Sequence, residues 1–312
     1  MTTPRVRLRA TETGIVTGKR TLGGDMLAIV VCHYNPGGFA RPVDNFRVFD
    51  RALGHAEHVY TVEAVYPGRE QVTRQHVISA GPEHVMWQKE RLLSLAVSRL
   101  PAHYDQVAFI DADLLFLNRD WYEQAARELQ TYPVCQLCES VCDTDAHGHI
   151  VRSGKTLGWR MRHAPTDYKI WYRTGGAWAV RREVAETCLY DRDIIGGGDA
   201  AMAFAWTGEP GRYNRHRFYH AAWSEHYLAW AARQFGLVQG RVGVVPGDAV
   251  HLWHGDPEGR NYVRRVEILR QHRFDPFADI VLDDNGLWRW TREDPTLQHA
   301  VTKYFHRRKE DG

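Results

Sequence analysis

The stretch Asp105-Gln106-Val107-Ala108-Phe109-Ile110-Asp111-Ala112-Asp113-Leu114-Leu115-Phe116-Leu117 decides how the rest of the chain is read. Residues 107–110 are apolar without polar alternation, the pattern of a strand covered on both faces, and Asp111 and Asp113 arrive where that strand should end. Two carboxylates at i and i+2 of a buried strand are costly to desolvate. A divalent cation held by oxygen ligands is the usual remedy, and capping of the next segment or pairing with arginines is the plainer alternative.

Toward the N-terminus, residues 26–32 read as a second buried strand, stopped by the breaker-rich loop His33-Tyr34-Asn35-Pro36-Gly37-Gly38. Residues 44–53 have helical spacing, 59–65 and 77–79 read as strands, and 86–100 as a helix with Leu92, Leu93, Ala96, Val97 and Leu100 on one face. Strands alternating with helices predict a doubly wound α/β fold, which binds ligands at the carboxyl ends of its strands. Both His33-Tyr34-Asn35 and Asp111-Ala112-Asp113 sit at such ends, so one ligand can serve both. Residues 1–25 read as a loosely ordered basic arm.

Toward the C-terminus, a helix at 120–129 and a strand carrying Cys135, Cys138 and Cys142 are followed by residues 143–174, which lack clear periodicity. Residues 151–182 hold eight basic side chains (Arg152, Lys155, Arg160, Arg162, Lys169, Arg173, Arg181, Arg182) against one acid, Asp167, with Trp159, Tyr168, Trp171, Tyr172 and Trp178 interleaved. Basic residues mixed with aromatics suit a groove for nucleic acid, and equally a solvated loop pinned by its rings. Arg212, Arg215, Arg217, Arg260, Arg264, Arg265, Arg270 and Arg273 extend the basic character. A glycine-led strand at 175–180 and a short helix at 182–189 lead to Gly196-Gly197-Gly198-Asp199. Those glycines let backbone approach a ligand, and Asp199 is placed to cap a helix at 200–206. Helices are expected at 219–235, 261–272 and 295–305, a strand at 242–245, and a turn at 283–286.

With 312 residues, 44% of them hydrophobic, the chain can bury one large core or two modest ones. A formal charge of +2 announces no nucleic-acid partner by itself, whereas aromatics at 12% hint at stacking surfaces for rings or sugars. No apolar run is long enough to span a bilayer, and the first 25 residues show no apolar signal core, which predicts a soluble, cytoplasmic protein. The five cysteines do not form a disulfide framework, in keeping with a reducing compartment. Cys135, Cys138 and Cys142 read as small buried thiols rather than a zinc site, since no fourth ligand lies at a familiar spacing.

The order Asp-Ala-Asp at 111–113, Gly-Gly-Ala-Trp-Ala at 175–179, Ile-Gly-Gly-Gly-Asp at 195–199 and His-Leu-Trp-His at 251–254 resembles metal-dependent glycosyltransferases of the GT-A fold. The likeness is greatest to the β-1,4-galactosyltransferase and polypeptide N-acetylgalactosaminyltransferase branch. It implies an α/β, Rossmann-like nucleotide-sugar-binding fold with a mixed central sheet, a catalytic domain over 26–255, and a helical extension at 256–312 packed on it. It further implies that Asp113, with Asp111, His251 and His254, holds Mn²⁺ or Mg²⁺. On the same resemblance, His33, Tyr34, Asn35, Lys89, Asp111, Gly176, Gly197 and Trp253 contact a nucleotide-sugar donor such as a UDP-sugar, and Asp199 is the catalytic base.

Two departures stand out: Gly198 where the family usually has an acid, and Ile195 where it often has Trp. A set of carboxylates and imidazoles favours Mn²⁺ over Mg²⁺, which prefers oxygens alone. A base opposite the leaving group implies inversion at the anomeric carbon, while an Asp199 that only binds sugar hydroxyls permits retention. The acceptor is a glycan or a hydroxylated base in DNA, such as the 5-hydroxymethylpyrimidines modified by phage glycosyltransferases. A non-catalytic sugar or nucleic-acid reader and a nucleotidyltransferase are the alternatives from other classes.

Overall fold

The computed structural model describes residues 26–167, 172–217, 220–261, 264–291 and 294–312. The expected arm at 1–25 and Tyr168, Lys169 and Trp171 of the basic stretch lie outside the described residues, as do the side chains of Arg215 and Arg217. In chain order the first half holds β1 (Leu27–Tyr34), α1 (Ala40–Leu53), β2 (Val59–Val65), β3 (His76–Ser79), α2 (Lys89–Val97), β4 (Gln106–Ile110), β5 (Leu114–Phe116), α3 (Trp121–Thr131), β6 (Val134–Gln136), β7 (Ser140–Thr144), β8 (Ile150–Lys155) and α4 (Leu157–His163). The second half holds β9 (Ala177–Arg181), α5 (Arg182–Ala185), α6 (Gly198–Trp206), α7 (Pro210–Arg217), α8 (Ala221–Val238), β10 (Val242–Val244), β11 (Asp248–His251), α9 (Pro257–Arg260), α10 (Val266–Gln271), β12 (Ile280–Leu282), β13 (Trp288–Trp290) and α11 (Pro295–Arg307).

A seven-stranded sheet of order β10-β6-β9-β4-β1-β2-β3 forms the centre. It is parallel except for β9, which runs antiparallel to both β4 and β6. The expected α/β architecture with a mixed central sheet is therefore present. Every residue of β4 is buried, which is why the run at 107–110 carries no polar alternation. One apolar layer packs α2, α5, α6 and α8 on the sheet, with Trp178 of β9 meeting Trp206 of α6 edge-on at 5.0 Å. Leu269, Phe274, Trp288, Tyr304 and Phe305 belong to that same layer, so residues beyond 255 share its core. α1 and α3 cover the opposite face through Phe46, Phe49, Trp121 and Leu129.

A smaller sheet, β5-β11-β7-β8, sits at the ligand end. Its register places His251 of β11 across from Leu114 of β5 on one side and Asp143 of β7 on the other. The central strands are where the sequence places them, and the differences lie elsewhere. β1 runs through Tyr34, so His33 and Tyr34 are strand rather than loop. The cysteine run splits into β6 and β7, which belong to different sheets. Residues 143–174, read as irregular, contain β8 and α4. β8 is exposed along most of its length and carries no apolar alternation, and α4 is started by Thr156, whose Oγ1 accepts the Trp159 N–H at 3.3 Å. The region 210–238 holds two helices rather than one.

Candidate active site and cation site

Where β1, β4, β9 and the small sheet converge, a cavity of about 1210 Å³ opens. It exceeds the roughly 300–1,000 Å³ of an ordinary small-molecule pocket. His33, Tyr34, Asn35, Lys89, Asp111, Asp113, Gly176, Gly197, Asp199, His251 and His254 all line it. Trp253 is not among the lining residues. Its Nε1 donates to Asp256 at 3.1 Å and its ring lies under Arg41 at 5.1 Å, so it stands behind the wall that the sequence resemblance gave it.

The loop after β4 is tied to the entry of β9, with Asp111 N–H donating to Gly176 O at 2.8 Å, and to β11, with Leu252 N–H donating to Asp113 O at 2.8 Å. Asp113 Oδ2 then lies 2.9 Å from His254 Nε2 and 3.6 Å from His251 Nε2, and the two Nε2 atoms are 3.3 Å apart. Among the described residues these three form the one group of His, Cys, Asp and Glu with ligand atoms close enough to hold a metal ion. The donor set fits a divalent cation. Asp113 Oδ1 is buried without a hydrogen-bond partner, and two imidazoles turn the same edge toward its carboxylate. Burial works against the charge on Asp113, yet His251 and His254 hold it well below the ordinary carboxylate range. His251, which burial alone would depress, is raised to about 9 by Asp113 and Asp143.

Two carboxylates that the sequence did not single out orient these rings. Asp143 Oδ1 lies 3.2 Å from His251 Nδ1, and Glu310 Oε1 lies 3.4 Å from His254 Nδ1. Such pairs fix the ring and its tautomer, leaving Nε2 as the ligating atom. The signal for Asp143 is an acid inside an otherwise buried strand; Glu310 has none in the sequence.

Asp111, expected to share the cation, lies outside that three-residue group and is engaged by Lys89. Lys89 Nζ sits 2.5 Å from Asp111 Oδ1 and bridges to both Asp199 oxygens at 3.0 and 3.1 Å. Burial opposes the ammonium, but Asp111, Asp199 and Glu90 outweigh it and hold Lys89 well above its ordinary range. Asp199 likewise does not cap α6. Gly197 occupies the cap position and Asp199 the first turn, where its side chain reaches Lys89. Asn35 is committed to its own turn, accepting from Gly38 N–H and Phe39 N–H. His33 Nδ1 pairs with the buried Glu63 at 3.1 Å.

The glycines before Asp199 admit neighbours. A Cβ at Gly196 would lie 2.8 Å from the Trp87 ring, and one at Gly198 would collide with the Glu90 carboxylate. An acid carried by α2 thus fills the space beside Asp199 that position 198 leaves open. Glu90 is 3% exposed and its Oε1 has no hydrogen-bond partner. Burial, opposed by Lys89 and reinforced by Asp199, pushes it up to about 8. The folded chain therefore holds that proton at pH values where an unfolded glutamate, with a pKa of about 4.3, has lost it. Its stabilising effect is complete at low pH and is lost as pH rises through about 8. Glu90→Gln should gain stability relative to the parent chain at pH 9 more than at pH 5. Urea midpoints at the two values test this, and an equal difference at both would show that Glu90 does not titrate.

The basic stretch is largely consumed internally. Arg152 and Arg173 pair with Asp143, Arg160 with Glu209, Arg162 with Glu128 and Arg182 with Glu186, which is five of the eight. Arg181 donates to the carbonyls of Leu129 and Gln130. Arg212 and Arg270 pair with Glu209 and Glu267, and Arg260 and Arg265 are buried. The aromatics on this wall are instead organised: Trp159 and Tyr172 stack at 6.2 Å, with Lys155 over the Trp159 ring at 5.3 Å. Cys135, Cys138 and Cys142 are buried free thiols and join no metal-capable group among the described residues.

No family model matches the chain. No curated protein matches it either. Among solved structures it is similar to glucosyl-3-phosphoglycerate synthase from Mycobacterium tuberculosis in complex with Mn²⁺, UDP-glucose and phosphoglyceric acid, at 13% identity over 86% of each chain and a TM-score of 0.41. It is also similar to a Drosophila β-1,4-galactosyltransferase 7 in complex with manganese, UDP-galactose and xylobiose, at 12% identity over 71% of this chain and 64% of that one, with a TM-score of 0.34. A third likeness is to 4-diphosphocytidyl-2C-methyl-D-erythritol synthase from Anaerococcus prevotii, at 9% identity over 72% and 90% of the two chains and a TM-score of 0.36. At that distance, function is read from this chain's own site.

Proposed function

We propose that this chain is a metal-dependent glycosyltransferase of the GT-A type, moving a sugar from a nucleotide-sugar such as a UDP-sugar to an acceptor hydroxyl in the cytoplasm. The observation that carries the reading is the convergence of Asp113, His251 and His254 on one cavity that also holds the Lys89, Asp111 and Asp199 cluster. A divalent cation bound there, Mn²⁺ before Mg²⁺, supplies a positive charge to a departing nucleoside diphosphate. Asp113, His251 and His254 would hold that cation. His33, Tyr34 and Asn35 flank the nucleotide at the end of β1, and Lys89 fixes Asp111 for contact with the donor. Asp199 takes the acceptor proton, which gives inversion. One observation favours retention as a second reading: Lys89 engages both oxygens of Asp199, so a base role requires that contact to loosen.

The stacked Trp159 and Tyr172 offer flat apolar faces suited to a sugar ring, and most cations of their stretch are already neutralised, so a glycan acceptor is favoured over DNA. The test is nucleoside-diphosphate release with Mn²⁺ across nucleotide-sugars, with glycan acceptors and with DNA containing 5-hydroxymethylpyrimidines. Release stimulated by a glycan is expected. Release stimulated by that DNA, with a matching mass increase on the base, would give the acceptor as DNA. Pyrophosphate release from nucleoside triphosphates would make the chain a nucleotidyltransferase, and binding without any release a non-catalytic reader.

A further inference from the structure

We propose that residues 308–312 form a strap that completes the cation site, with Glu310 as the positioning residue for His254. The inference rests on the cation reading of Asp113, His251 and His254, and not on which group the protein transfers. Each candidate ligand histidine has its own carboxylate at Nδ1, but the two carboxylates have different origins. Asp143 belongs to β7 and is paired in register with His251, whereas Glu310 comes from 56 residues beyond His254. Glu310 is 8% exposed, and its Oε1 accepts from Arg308 Nε at 2.7 Å as well as facing His254 Nδ1. Arg308 Nη2 also lies 2.5 Å from Glu310 Oε1, so the guanidinium holds the carboxylate where it faces the imidazole.

The strap is anchored independently of that contact. Helix α1 has no acid in its first turn and no side-chain cap from Phe39. Its first amides instead donate to Asp311, Ala40 N–H at 3.1 Å and Arg41 N–H at 2.7 Å, from 270 or more residues away. This docks a carboxylate on the positive end of the helix that follows the loop after β1. On the other side the strap backbone lies against two glycines: a Cβ at Gly255 would come within 2.7 Å of Lys309 O, and one at Gly259 within 2.7 Å of Arg308 O. Arg308 also lies over the Trp87 ring at 5.3 Å, and Arg308 and Glu310 both line the cavity. One short segment therefore joins α1, the His254 loop and Trp87. Docking of the strap orders His254, and by linkage a cation held by His254 must favour the docked strap.

Mn²⁺ titration of the full chain without nucleotide, reading free Mn²⁺ by electron paramagnetic resonance, tests this. Glu310→Ala should weaken Mn²⁺ binding by about 10–100-fold, the usual effect of losing a carboxylate behind a ligating histidine. Glu310→Gln, which keeps the volume and one acceptor oxygen, should lose less, in the same direction. Asp311→Ala alters neither His254 nor Glu310 itself and should still weaken binding several-fold by freeing the strap that carries Glu310. Thermal midpoints in EDTA separate positioning from general folding. Parent-like Mn²⁺ affinity in Glu310→Ala, or a midpoint loss equal with and without Mn²⁺, would overturn the proposal. A parent chain that binds Mn²⁺ but releases no nucleoside diphosphate would remove the glycosyltransferase reading and leave the strap standing.

Discussion

Asp113→Ala is expected to abolish Mn²⁺-dependent donor turnover while leaving the chain folded. Asp113 contributes the one carboxylate of the three-residue cation group, and its Oδ2 is the atom on which both Nε2 atoms converge. Charge stabilisation by a bound cation is worth several kcal/mol at the transition state, and each 1.4 kcal/mol is tenfold, so turnover should fall by about three orders of magnitude. Asp113→Asn, which preserves the shape, should fall almost as far because the charge is what the two imidazoles and the cation require. Mn²⁺ binding should disappear with it. Parent-like turnover in either variant would move the cation elsewhere.

Asp199→Asn should leave Mn²⁺ and donor binding nearly unchanged and cut turnover by about 10²–10⁴-fold, the range for loss of a positioned general base. The side chain lies on the cavity wall at the first turn of α6, outside the three-residue cation group and joined to Asp111 through Lys89. An asparagine still accepts a hydrogen bond from Lys89, so the cluster should hold its geometry. The anomeric configuration of the product, read by NMR, accompanies the rate. A large loss with an inverted product assigns the base; near-normal turnover with a retained product makes Asp199 a sugar-binding partner of Lys89.

The centre of the fold is legible because buried parallel strands leave an unmistakable mark. The runs at 26–32 and 107–110 are apolar without alternation, and the acids at 111 and 113 follow where such a strand must end. The small sheet is not legible, since it joins strands of three to six residues from four separate places and its edge strand β8 is exposed. Asp143 therefore passed unnoticed, although its register opposite His251 is what aims that ring. The basic run from 151 to 182 shows charges but not their partners. Glu209 lies 49 residues from Arg160 and Glu128 lies 34 from Arg162, so only the folded chain reveals that the cations are spent. Gly198 gives the same lesson in reverse. The sequence reads an acid as missing, and the structure brings Glu90 into the space.

Diffraction from crystals grown with Mn²⁺ and UDP, recorded at the manganese absorption edge, is the measurement that bears most directly on the cation site. An anomalous peak within bonding distance of Asp113, His251 Nε2 and His254 Nε2, with the diphosphate beside it, is the expected result. A peak held by Asp111 or by the cysteines at 135, 138 and 142 instead, or UDP bound with no peak at Asp113, would contradict a metal-dependent transfer at this site.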